Sequence, residues 1–113
     1  NTANGIDYPS GETTHGGYMM YQVLSSIGSG LIQATIKVQD CDTVGGVYSD
    51  LLSSGVVNCG AAGVSVPASG VVALATTAHV QEFTRWQVAF GVGAGDECTS
   101  LTFLLAFVRN TVF

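Results

Sequence analysis

The sequence predicts an all-β protein, an antiparallel β-sandwich or barrel of seven or eight short strands. Three observations carry that expectation. Fifteen Val and eleven Thr favour extended backbone, while fifteen Gly supply turns and bulges. Three segments alternate strictly between apolar and polar or between the two faces of a pleat. Turn-forming clusters separate these segments, and no stretch of useful length places apolar residues at the three- and four-residue spacing of a helix.

The clearest strand is Ile32 to Gln39. Ile32, Ala34, Ile36 and Val38 point one way and Gln33, Thr35, Lys37 and Gln39 the other, so one face is buried and one is wet. In Arg85 to Val92, Trp86, Val88, Phe90 and Val92 share a face, and Gly93, Gly95 and Asp96 form a turn after it. Leu101 to Arg109 carries Leu101, Phe103, Leu105 and Phe107 on one face and Thr102, Leu104, Ala106 and Val108 on the other. A strand apolar on both sides lies under a second layer or against another subunit. Shorter strands are expected at Tyr18–Ser25, Leu51–Val57, Gly63–Val66 and Val71–Thr76, whereas Ala78–Phe83 could form a turn of helix. A polar arm, residues 1–17, precedes a single sandwich domain, residues 18–113.

Composition narrows the function. A chain of 113 residues buries roughly 65% of its surface on folding, enough for one core. Charged residues make up only 10%, and eight acids face three bases, Lys37, Arg85 and Arg109, for a net charge of −5. That balance opposes nucleic acid, which needs a positive patch to displace counterions, and opposes an anionic membrane surface. A surface so poor in charge fits one partly covered by a partner, or one rich in Ser, Thr, Asn and Gln. The longest strongly apolar stretch, Leu101 to Val108, is far too short to cross a membrane as a helix. Asn1 to Gly17 has neither a basic n-region nor an apolar h-region, and the first residue is not Met, which fits removal of an upstream piece.

No residue set presents a reaction. Asp40, Asp42, Gly45 and Asp50 faintly trace a calcium loop, but the fifth and twelfth positions are Val44 and Leu51, so no metal is expected. His15 and His79 lack metal-ligand spacing, and no G-x-S-x-G elbow surrounds a serine. Gly91, Gly93 and Gly95 precede Asp96 and Glu97, acids that would repel a phosphate. Cys41, Cys59 and Cys98 read as small buried hydrophobes, with a Cys41–Cys59 or Cys59–Cys98 bridge open. The chain is therefore expected to be no enzyme and to need no cofactor. Aromatics and Met are enriched at interface cores, and Tyr8, Tyr18, Met20 and Phe113 are the expected contact residues.

In the run ATIKVQDCDTVGGVYSDL an amphipathic strand ends in Val38-Gln39-Asp40, followed by an acidic, glycine-containing loop with Asp42 and Gly45-Gly46, then Tyr48 and Asp50. Later, Phe83-Thr84-Arg85-Trp86-Gln87-Val88 gives an aromatic and basic opening to a strand, and the hydrophobic Leu101–Val108 closes the chain. This order of parts, over about two-thirds of the chain, resembles the decoration (cement) proteins of tailed-bacteriophage capsids, although Cys41 and Cys59 depart from that pattern and the arm is not covered. The resemblance implies a jelly-roll-type β-sandwich, a virion location on the capsid exterior, the major capsid protein as partner, and a homo-oligomer, dimer or trimer, that bridges neighbouring capsomers. A neck, tail or fibre-associated virion protein is the alternative, as is a carbohydrate-binding jelly-roll module. The second would want an exposed aromatic platform, and the one Trp, Trp86, sits on an expected core face.

Overall fold

A computed structural model describes residues 6–7, 11–29, 32–43, 45–60, 68–92 and 97–110. They form two antiparallel sheets with no helix. In chain order the strands are β1 (Ile6–Asp7), β2 (Gly17–Ser29), β3 (Ile32–Cys41), β4 (Ser49–Gly60), β5 (Ala68–Ala73), β6 (Phe83–Val92) and β7 (Glu97–Arg109). One sheet runs β1-β6-β3-β4 and the other β5-β2-β7. Among the described residues the full strands are thus β2 to β7, with the two-residue β1 added at an edge, rather than seven or eight. The expected strand at Gly63–Val66 and the turn at Gly93–Asp96 lie outside the described residues. Ala78–Phe83 forms no helical turn: Val80 bridges to Thr13, and β6 starts at Phe83.

Only β3 to β4 is a hairpin within one sheet; every other connection between these strands changes sheet. The pairings nest around that hairpin. β3 pairs with β4, β2 with β5 and β1 with β6. Two further pairings, β3 with β6 and β2 with β7, stitch the nested pairs together.

The core fills the space between the sheets. Alternation in β3 puts Ile32, Ala34, Ile36 and Val38 inside, against Val23 and Met19 of β2 and Val57 and Leu52 of β4. The partners in register on β6 share this face, so Val88 opposite Ile36 is buried and Trp86 opposite Val38 meets the edge of Phe103 at 5.5 Å and 83°. Two glycines let the backbone turn where a side chain could not. Gly16 leads into β2 with φ +71°, and a Cβ there would stand 2.3 Å from the carbonyl oxygen of Ala75. Gly55, φ +68°, lies in a bulge where Ser54 and Gly55 together oppose Ile36, whose amide donates to Ser54 Oγ at 3.0 Å.

Residues 11–16 cross from one sheet to the other and are tied at both sides. Thr13 and Val80 exchange backbone hydrogen bonds of 2.9 and 2.8 Å, Thr13 Oγ1 donates to the Asn110 carbonyl at 2.8 Å, and Asn110 Nδ2 donates to the His15 carbonyl at 3.1 Å. Arg109 Nη2 donates to the Gly11 carbonyl.

Cys41 is a buried free thiol whose Sγ donates to the Thr43 carbonyl at 3.3 Å, so the Cys41–Cys59 bridge left open by sequence does not form. Cys59 is also buried, with Sγ 3.3 Å from the Val57 carbonyl; the side chain of Cys98 lies outside the described residues.

Candidate functional site

The two sheets present opposite chemistry to the outside. On the four-stranded sheet the outer rows are mostly polar, with Val56 and Ala89 the apolar exceptions beside Thr35. Gln33 Nε2 donates to Asn58 Oδ1 at 3.0 Å. Lower down, Gln39 Nε2 donates to Asp50 Oδ1 at 2.8 Å and to Gln87 Oε1 at 3.2 Å, and its own Oε1 accepts from Arg85 Nε at 2.9 Å. Lys37 Nζ reaches Asp50 Oδ2 at 2.7 Å, and the Arg85 guanidinium lies 4.1 Å over the Tyr48 ring. Register explains this cluster: Gln39 faces Asp50 on one side and Arg85 on the other.

The three-stranded sheet is different. Its inward residues, Met19, Tyr21 and Val23, pair with Phe107, Leu105 and Phe103. The outward row opposite them is Met20, Leu104, Ala106, Val108 and Val71, with Tyr18 half-buried beside it. Met20 is 43% exposed, Leu104 58%, Val71 66% and Val108 38%. An open groove of about 550 Å³ crosses this face between Met20, Val71, Leu104 and Ala106. Polar residues described on this face are Gln22 and Ser69, with Ser25, Ser100 and Thr102 towards one end. Continuous exposed apolar surface of this kind marks an interaction site. Fully burying a large apolar side chain is worth about 1.5–3 kcal/mol, so each of these, partly covered already, has roughly 1 kcal/mol left to gain.

Of the four contact residues expected from sequence, Met20 stands on this face and Tyr18 at its margin. Tyr8 and Phe113 lie outside the described residues. Leu104 and Val71, the most exposed apolar side chains lining the groove, were not singled out as contacts by sequence. The signal for Leu104 was present in the two-faced apolar pattern of β7; Val71 became visible only once β5 was placed beside β2.

The polar candidates disperse. Asp40 Oδ2 accepts the Gln81 amide at 3.0 Å, while Asp50 is held by Lys37 and Gln39, so the carboxylates of the acidic loop do not converge. Among the described residues no three His, Cys, Asp or Glu side chains gather to hold a metal ion. His79 Nδ1 lies 3.2 Å from Glu12 Oε1 on the exposed rim, and His15 contributes its backbone to the crossing strap.

Asp50 carries the resolved electrostatic signature. Hydrogen bonding from Gln39, then from Lys37, holds its carboxyl below the usual value of 3.8. A depressed folded pKa stabilises the fold above the unfolded value, and this contribution is lost as pH falls below about 3.8 through the folded pKa. Asp50→Asn is expected to lower the melting temperature slightly at neutral pH. It should also flatten the acid limb of a melting-temperature profile below the unfolded value, since the titrating group is gone. A variant with an unaltered acid limb would contradict the assignment.

No protein-family model matches the chain, and neither a curated protein nor a solved structure is found to be similar to it.

Proposed function

We propose that this protein is a structural virion component that binds the outer surface of an icosahedral phage capsid and cements neighbouring capsomers. The observation that carries the reading is the apolar outer face of the β5-β2-β7 sheet, set on a sandwich whose other outer face is polar. Such a molecule is built to lie flat with one side down. Its low charge suits a surface that ends up covered, and repetition over a symmetric shell turns modest single contacts into firm attachment through avidity.

The strand order supports a jelly roll. In that fold the chain runs as a long double hairpin, its two halves pairing strand by strand outward from one central turn and crossing between two sheets. The nested pairs β3–β4, β2–β5 and β1–β6 follow this plan. Jelly rolls also serve lectins, so the fold alone does not choose the role. The resemblance of the Val38–Asp50 segment and of the Phe83–Val88 strand opening to capsid decoration proteins favours the capsid exterior, with the major capsid protein as partner.

The test is the copy number of this chain in purified particles from its source, measured by quantitative mass spectrometry against the major shell protein. Hundreds of copies in a simple ratio are the expected result. A dozen or fewer would place it at the neck, tail or fibre, and absence from particles would remove the virion role.

A further inference from the structure

We propose that the outer face of the four-stranded sheet carries a second binding site, where Arg85, Lys37 and Gln87 receive the carboxylate of an acidic saccharide. Arg85 is the anchor. Gln39 is buried, 7% exposed, and commits its whole amide: Nε2 donates to Asp50 Oδ1 and Gln87 Oε1, and Oε1 accepts from Arg85 Nε at 2.9 Å. The guanidinium is also seated 4.1 Å over the Tyr48 ring. These two contacts fix the group by its Nε edge and its face, and among the described residues neither Nη nitrogen has an acceptor. A guanidinium held in this way offers a carboxylate two parallel N–H donors with little ordering left to do.

The charge pattern sets this arginine apart. Eight acids face three bases in the chain, yet the described ion pairs are Lys37–Asp50 and His79–Glu12, and Arg85 belongs to neither. The acid of the cluster, Asp50, accepts from Gln39 at one oxygen and from Lys37 at the other. Two cations against one carboxylate leave the cluster positive in a chain of net charge −5. Its fixed guanidinium thus selects an anion, and an end-on fit through both Nη nitrogens selects a planar carboxylate.

The surroundings select a saccharide as the bearer of that carboxylate. Gln87, Lys37 and Ser53 stand in one row across β6, β3 and β4, next to Arg85. Amide, ammonium and hydroxyl groups in a row match the hydroxyls of a sugar ring. An acidic protein would instead call for an apolar centre at the contact. This row has none, and Ala89 and Val56 lie beyond it, on the side away from Arg85. The site is on the sheet opposite the apolar outer face, so it goes beyond shell binding and stays open when that face is covered.

Amide chemical-shift mapping of the full chain by NMR tests this. A galacturonic acid trimer is expected to move the amide signals of Lys37, Gln39, Arg85 and Gln87, whereas the same trimer with its carboxyls methyl-esterified should not. Arg85→Lys keeps the charge but loses the fork, so it should weaken binding about tenfold while the chain stays folded by circular dichroism. Gln87→Ala leaves Arg85 in place and should weaken binding about threefold. Binding should also fade as salt is raised. No shift with the acidic trimer, equal shifts with the ester, shifts centred on other residues, or full affinity in both variants would overturn the proposal. Acetate that binds as well per carboxylate would overturn it in favour of an adventitious ion only. A glutamate tripeptide that binds more tightly than the trimer would overturn it in favour of an acidic protein partner.

Discussion

On the proposed capsid-binding role, Leu104→Asp is expected to abolish shell binding without unfolding the protein. Leu104 is the most exposed large apolar side chain described on β7 and lines the groove together with Met20 and Val71. Because it already faces water, an acid there costs the free protein little, within about ±0.5 kcal/mol. In the complex it would leave an unpaired carboxylate against an apolar contact. Truncating a central interface residue commonly costs about 2 kcal/mol or more, roughly thirtyfold in affinity per site, and a buried charge adds to that. If attachment repeats over a symmetric shell as proposed, the loss should appear as near-complete dissociation rather than a graded fall. Val56→Asp is the control, since Val56 is 68% exposed on the opposite, polar sheet. Co-sedimentation with purified shells, read beside the melting temperature, decides the matter. Shell binding that survives Leu104→Asp, or that fails equally in Val56→Asp, would show that the docking face lies elsewhere.

Ile36→Ala is expected to give the largest loss of stability of any single truncation in the chain. Ile36 has no exposure at all, sits at the middle of β3, and touches strands of both sheets through the main core cluster. Removing its three carbons leaves a cavity between two sheets whose backbones are fixed by ladders on either side, so the site cannot collapse easily. The expected cost is about 2–5 kcal/mol. For a domain of this size the melting temperature should fall by more than about 10 °C. Val71→Ala, at 66% exposure, should change it by little. Urea melts of both variants give the comparison. A change below about 1 kcal/mol for Ile36→Ala would mean that the β3 face is not where the sheets meet.

Much of this architecture was legible because β3, β6 and β7 alternate strictly, and a period of two maps each side chain to a face without reference to any partner. Strand limits were harder to read. β4 was expected only over Leu51–Val57, because the bulge at Ser54–Gly55 breaks its alternation midway. Pairing was not legible at all. Nothing in the residues of β2 says that its neighbours are β5 and β7, since any exposed ladder of amides can match another. The same limit explains the acidic loop. Asp40, Asp42 and Asp50 are close in sequence, yet register hands Asp50 to Lys37 and Gln39 and gives Asp40 to the Gln81 amide. The apolar face was half legible: the doubly apolar β7 announced that something covers it, and Met20 was named, but only adjacency of three strands turns separate residues into a surface.

The nested pairing has a consequence for when that surface exists. β2 lies between β5 and β7, so its inward Met19 and Val23 and its outward Met20 wait for strands made long after it. Pairing across such sequence separations is slow, because loop closure must be completed before contacts compensate for it. During synthesis the nascent chain can close the β3–β4 hairpin early, but the adhesive side cannot take shape before β7 has left the ribosome. On the proposed role, unfinished copies would have nothing with which to engage a shell, and only completed subunits would compete for its surface.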